Sequence, residues 1–244
     1  MLFSLKLRVT IKIKYPIMQK KKMIVVQCWD DGVTTDARLT DLLRQLQIPA
    51  TFNLCPGMYD KRARFGWIHK QTEVWRLGWD EMRSVYNGFT IANHSLTHPN
   101  LCDLPVTEAR HEIAVARDRL QQFFGQPVMG FVYPFGAFNS TIMTLVKETG
   151  HCYARTTQPA EQSFPPANPM AFHPNCHFLS QDFWLQYENS RKWGLFYFWG
   201  HSYELISENL WQEFEVKLRR ITEDPCSVWG ELPQLFSGSD LTAT

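Results

Sequence analysis

The chain contains no run of roughly eighteen apolar residues, which excludes a membrane-spanning helix of ordinary length. It has no CxxC pair. Its six cysteines, Cys28, Cys55, Cys102, Cys152, Cys176 and Cys226, are scattered over 244 residues. A disulfide framework is therefore not expected, and buried free thiols in a reducing compartment are. No Pro/Gly/Ser-rich stretch divides the sequence and no internal repeat stands out, so one domain with a sizeable core is expected. Charge of one sign is lacking too: the net charge of +1 argues against a nucleic-acid partner.

That balance hides an asymmetry. Residues 1–22 carry seven Lys or Arg and no acid, which leaves 18 basic against 24 acidic residues, or −6, for the rest. The basic segment alternates, as in Leu5-Lys6-Leu7-Arg8-Val9, where a secretion signal needs an unbroken apolar stretch. It is expected to be an arm outside the fold or an edge strand, and a cytoplasmic location is favoured. Residues 237–244, small and polar, are expected to fray. Aromatic residues are plentiful at 14% and imply either a core of large rings or an aromatic-lined cleft.

From residue 23 onward, apolar runs alternate with helical periodicities. Strands are expected at 23–29, 50–54, 89–92, 128–133, 152–155 and 195–199, and helices at 35–47, 79–86, 106–124, 141–148 and 208–221. Residues 57–78 and 158–176 read as loops. A βαβα order of this kind builds a parallel sheet, open or closed into a barrel, whose chemistry gathers at the C-terminal strand ends.

Three polar clusters fall at such ends: Asp30-Asp31-Gly32, His94-Ser95-Leu96-Thr97-His98, and His201 within Trp199-Gly200-His201-Ser202-Tyr203-Glu204. Adjacent carboxylates resist ionising together unless a cation lies beside them. Two histidines four apart can close on one metal ion. Pro99 follows His98 directly and disfavours helix there, so the pair is expected on a tight loop. One Asp and two His would make three ligands, with open positions for water and substrate and a second Asp free to act as base.

These residues resemble the polysaccharide deacetylase family, the NodB-homology fold of carbohydrate esterase family 4. Cys28-Trp29-Asp30-Asp31-Gly32 is similar to its [ST]-[FY]-D-D-G motif, and Asn93-His94-Ser95-Leu96-Thr97-His98-Pro99-Asn100-Leu101 to its N-H-[ST]-x-[ST]-H-P-x-L motif. Phe131-Val132-Tyr133-Pro134-Phe135-Gly136 is similar to F-R-x-P-[YF]-G, and Phe198-Trp199-Gly200-His201 to the last motif, in family order. The resemblance spans residues 23 to about 205. It implies an α/β fold, a distorted (β/α) barrel with parallel strands and outer helices, occupying residues 23–236. It also implies a hydrolase of non-peptide carbon–nitrogen bonds that removes N-acetyl groups from a glycan. Asp30 is then similar to the catalytic base, Asp31, His94 and His98 to the metal ligands, and His201 to the general acid. The Phe135 N–H, beside Tyr133, would meet the oxyanion or substrate. The implied metal is zinc, with cobalt or manganese in relatives.

The sequence departs from the family at two places. Val132 stands where the third motif has an arginine that pairs with the base carboxylate, so another cation must substitute or the chemistry changes. The fourth motif, which carries an acid for the general-acid histidine, has no clear match; Glu204 and Asp182 are the candidates. Two alternatives follow: the same site acting on a small cyclic amide or ureide, and an inactive carbohydrate-binding homologue. His173, Cys176 and His177 lie close in sequence, and their loop is expected at the cleft mouth rather than as a structural zinc site. Nothing in the pattern sets an oligomeric state.

Overall fold

The computed structural model describes residues 22–160 and 164–236. The expected basic arm (residues 1–22) and polar tail (residues 237–244) lie outside these residues, apart from Lys22. Ten strands and six helices follow in the order β1 (Met23–Asp30), α1 (Asp36–Gln45), β2 (Thr51–Leu54), β3 (Arg64–His69), β4 (Thr72–Arg76), α2 (Trp79–Val85), β5 (Thr90–Asn93), α3 (Val106–Phe124), β6 (Gly130–Val132), α4 (Ser140–Glu148), β7 (Tyr153–Arg155), β8 (Cys176–His177), α5 (Phe183–Ser190), β9 (Leu195–Gly200), α6 (Glu208–Glu223) and β10 (Ser227–Trp229). Among the described residues, no helix is long and apolar enough to cross a membrane.

The main sheet runs β7-β6-β5-β2-β1-β9-β8, with β10 beside the start of β1, and every pairing in it is parallel. Its two edges approach through one segment. Phe172 bridges to Arg155 of β7, and four residues later β8 pairs with β9. The result is the distorted (β/α) barrel expected of the sequence.

The rings are mainly core. β1 is buried along nearly its whole length, as a parallel strand covered on both faces must be. Trp29 meets Phe178 and Phe214 edge to face at centroid distances of 5.0 and 5.3 Å. Each such side chain contributes roughly 1.5–3 kcal/mol by leaving water. Tyr187, Tyr197 and Phe198 join this interior, whereas Trp193 is exposed and Trp199 half-buried.

Residues 57–78 are not irregular, contrary to the sequence reading: 64–76 form the antiparallel hairpin β3–β4. Two features hide it. A register shift between Phe65 and Trp67 breaks the alternation, and the turn Lys70-Gln71 holds two non-glycine residues at φ 43° and 68°, without the usual Asn-Gly signal. The 158–176 stretch ends in the short strand β8, too brief for any periodicity, and α5 was likewise not anticipated.

Asp36, buried at the start of α1, ties three elements together. It accepts from Ser202 Oγ (2.5 Å), Tyr86 Oη (2.6 Å) and the Val33 N–H (3.3 Å). Burial outweighs these bonds and lifts its pKa from 3.8 to about 7. The folded chain keeps that proton where the unfolded chain has released it, so stability should fall as pH rises from about 4 to 7. Thermal melts of Asp36→Asn across this window should show a flatter profile than wild type; an unchanged slope would contradict the assignment.

Candidate active site

All three sequence clusters meet at the C-terminal end of the barrel. Asp30 is the last residue of β1, and Asp31 follows at φ 83° with Gly32 at φ 65°, a sharp exit that turns both carboxyls toward the opening. His94 follows β5. Ser95 and His98 both take positive φ (65° and 59°), and the Ser95 Oγ accepts from the His98 N–H at 2.9 Å. The pair thus sits on a tight loop, as Pro99 required, and not on a helix.

Asp31, His94 and His98 each offer a ligand atom, and these atoms all lie within 4.8 Å of one another. His94 Nδ1 lies 2.8 Å from the Val132 carbonyl, which can only accept, so Nδ1 carries the hydrogen and Nε2 presents a lone pair. Burial pushes the His94 pKa down to about 4 and lowers that of His98, so neither ring is cationic at neutral pH. His94 Nε2 faces His98 Nε2 at 3.1 Å, and His98 Nε2 lies 3.9 Å from Asp31 Oδ1. Two facing imidazole nitrogens beside a carboxylate, one of them fixed as an acceptor, fit a divalent cation of the zinc type.

The missing motif arginine is replaced from the neighbouring strand. Arg155, at the end of β7, is the register partner of Val132. Its guanidinium clasps Asp30 with two bonds, Nη2 to Oδ2 at 2.7 Å and Nη1 to Oδ1 at 3.1 Å, both groups being about 1% exposed. Asn53 Nδ2 donates to Asp30 Oδ1 at 2.7 Å, and Trp199 lies over the guanidinium at 4.3 Å. Burial alone would raise the Asp30 pKa. Arg155 foremost, with His94 and His201, outweighs it and holds the carboxyl well below the usual range.

His201 follows β9 with Nε2 3.9 Å from Asp30 Oδ2 and 3.8 Å from Asp31 Oδ2. Of the two orienting acids considered, Glu204 is the one in place. Its Oε2 accepts from His201 Nδ1 at 3.1 Å, from the His201 backbone N–H at 3.0 Å and from His177 Nε2 at 2.8 Å. Burial opposes the charge on His201, but the bond to Glu204 and the two aspartates raise its pKa. Asp182 is elsewhere: its oxygens engage Ser180 and Gln186 at the exposed start of α5. His177 was missed as a site residue. The Leu179 N–H donates to its Nδ1 at 3.3 Å, which leaves Nε2–H to face Glu204. His173 bonds instead to Thr156 Oγ1, and Cys176 packs in the core, so His173, Cys176 and His177 do not gather into a zinc site.

Phe135 sits at φ 58° in the turn after β6; the residue is 69% exposed and its ring lies 4.7 Å from that of His98. A bulky residue held in the left-handed region is strained, a cost that persists where a site needs the geometry. Tyr133 does not reach the opening. Side chains alternate along a strand; Val132 shares the face of Arg155, so Tyr133 points outward. It packs with Ile142 and Leu145 of α4 and donates to the Met170 carbonyl at 2.8 Å. The expectation that it contacts substrate is corrected.

The fold is the parallel-stranded distorted barrel seen in solved carbohydrate deacetylases. The chain matches the polysaccharide deacetylase family profile over residues 18–154. It belongs to that family. Similar solved structures include a T48 deacetylase with substrate (17% identity, 90% of this chain and 93% of that one, TM-score 0.58). Another is the Xyl-CE4 domain of a multidomain xylanase from the hindgut metagenome of Trinervitermes trinervoides (15% identity, 88% and 90%, TM-score 0.56). A third, BA3943 from Bacillus anthracis, is described as a CE4 family pseudoenzyme (14% identity, 89% and 66%, TM-score 0.56). In the Streptococcus pyogenes deacetylase PplD and the Bacillus proteins BC0361 and BA0330, the match covers only 55%, 44% and 44% of the solved chain. No curated protein matches significantly.

Proposed function

We propose that the chain is a metal-dependent deacetylase that hydrolyses the acetamido group of an N-acetylated glycan. The observation that carries this reading is the convergence of Asp31, His94 and His98 beside the Arg155-clasped Asp30. These three ligands would hold zinc, which when bound supplies a Lewis acid for the amide carbonyl and makes its water acidic enough to lose a proton near neutral pH. Asp30, kept ionised and aimed by Arg155 and Asn53, accepts that proton. The Phe135 N–H, in the turn after β6, donates to the oxyanion as the carbonyl carbon becomes tetrahedral. His201, whose Nδ1 is held by Glu204, keeps Nε2–H toward the cleft and gives its proton to the departing amine.

The alternatives of a small cyclic amide substrate and of an inactive carbohydrate binder were motivated by Val132 and the absent fourth motif. Arg155 and Glu204 supply both missing partners, which favours an active enzyme. The reading is tested by acetate release from a panel of neutral and anionic N-acetylated sugars: turnover of at least one is expected in wild type and none in Asp30→Asn. Equal activity in the two would overturn it.

His177 steadies Glu204 and through it His201. His177→Leu should lower kcat by about tenfold or more with little change in KM, and His177→Gln, which keeps a donor near the same place, should recover much of it. A change confined to KM would contradict this role.

A further inference from the structure

Arg76 closes β4, and the hairpin is zipped onto the turn that carries Asp31. The Leu77 N–H donates to the Gly32 carbonyl at 3.0 Å, the Thr34 N–H to the Trp75 carbonyl at 2.8 Å, and Val33 pairs with Arg76. This anchoring brings the Arg76 guanidinium to the catalytic end of the barrel. It is only 8% exposed, its Nη1 donates to the Asp31 carbonyl at 3.3 Å, and it lies over the Trp67 ring at 4.8 Å. Trp67 in turn meets Tyr203 at 5.2 Å, and Tyr203 meets His201 at 4.9 Å. The arginine therefore belongs to the wall of the cleft that holds the acid histidine.

The mechanism above does not use this group. Among the described residues, Arg76 makes no ion pair, unlike Arg155, which spends its charge on Asp30. A buried cation without an anion is costly, since desolvation is not repaid by a partner. Its unused N–H groups are not sealed in, whereas Arg155 Nε is. The surrounding charges sharpen the point. Arg155 balances Asp30, Glu204 is engaged by His177 and His201, and a divalent ion would more than balance Asp31. Arg76 is left as surplus positive charge, with hydrogen-bond donors in the fork geometry that suits a carboxylate or phosphate.

We infer that Arg76 is an anion-reading residue, and that the substrate is an N-acetylated sugar carrying a carboxylate or phosphate group rather than a neutral chitin-like glycan. The sugar would lie along Trp67 and Tyr203, its anionic group on the Arg76 fork and its acetamido group toward Asp30 and His201. This assignment rests on the deacetylase reading for the identity of the scissile group, but the anion contact is a matter of binding and is measurable without turnover.

The experiment compares ligands that differ in one charge. Calorimetric titration of the full chain, after chelation and dialysis and again with added zinc, would use N-acetylmuramic acid against its methyl ester, and N-acetylglucosamine 6-phosphate against N-acetylglucosamine. The charged member of at least one pair should bind about tenfold or more tightly. Which pair shows the larger ratio separates carboxylate from phosphate. Arg76→Gln should bring that ratio close to one, and Arg76→Lys should leave it intermediate, with zinc content unchanged in both. Persistence of the preference without added zinc excludes the metal as the anion's partner. No preference in wild type, a preference lost with zinc removal, or one unchanged in the folded Arg76 variants would overturn the inference. If Arg76→Gln does not fold, the wild-type ratios and Arg76→Lys still decide. Charge preference without acetate release from any ligand would count against the deacetylase reading and leave the anion site standing.

Discussion

Replacing Arg155 by valine is expected to destabilise the chain by about 3–5 kcal/mol and to remove most of its activity, because Asp30 would be left as an uncompensated buried charge. The two effects are separable. Unfolding by denaturant reports the first, and acetate release at a temperature where the variant remains folded reports the second. The cause is geometric, and a second substitution tests it. Val132 and Arg155 are register partners on adjacent parallel strands, so their side chains share one face of the sheet. Adding Val132→Arg to Arg155→Val moves the cation one strand over, to the position it holds in the family motif. At least about a tenfold recovery over Arg155→Val is expected, since charge-assisted bidentate pairing is what the move restores. A double variant no better than the single one would show that Arg155 does more than hold Asp30.

His94→Ala should have the second large effect. His94 is fully buried, its Nδ1–H is committed to the Val132 carbonyl, and among the described residues its Nε2 has no hydrogen to accept other than one borrowed from His98. Removing it leaves Asp31 and His98 as a two-ligand set. Bound zinc, measured by elemental analysis of dialysed protein, should fall from about one equivalent to a small fraction, with an affinity loss greater than the roughly 10- to 100-fold seen when only an outer partner of a ligand is lost. Thr97→Ala, on the same loop but with its hydroxyl spent on Glu112, should retain the metal. Zinc retention in His94→Ala would remove this residue from the ligand set.

Much of this site is legible in the sequence, for a physical reason. Asp30 ends a buried strand, Asp31, His94 and His201 each follow one directly, and His98 lies on the tight loop that His94 opens, all where a parallel barrel must open; their neighbours Gly32, Ser95 and Pro99 force the sharp exits that turn them inward. What the sequence hides is exchange between strands. Arg155 could have been noticed as a charge ending the apolar strand Tyr153-Ala154-Arg155, but its service to Asp30 appears only once β6 and β7 are in register. The acid for His201 was within reach, because Glu204 lies three residues on, in the same turn. Its second donor, His177, is brought in by β8, a two-residue strand with no period to read. Tyr133 was misplaced because its motif neighbours Val132 and Phe135 both face the opening while the alternation of the strand sends Tyr133 to the helices. The hairpin that carries Arg76 was invisible for a similar reason: its bulge and its unusual turn erase the pattern that marks a hairpin.

Both departures from the family motifs thus resolve into substitutions in space. The cation that clasps Asp30 comes from the next strand, and the acid beside His201 comes from the next turn. The central claim is that Asp31, His94 and His98 hold a divalent ion on which acetamide hydrolysis depends. Its most direct test is acetate release from an N-acetylated oligosaccharide by one preparation of the full chain, measured as purified, after chelation and dialysis, and after return of one equivalent of zinc. Activity that is lost on chelation and regained with zinc is the predicted result. Hydrolysis that continues undiminished in the metal-free protein would contradict the account.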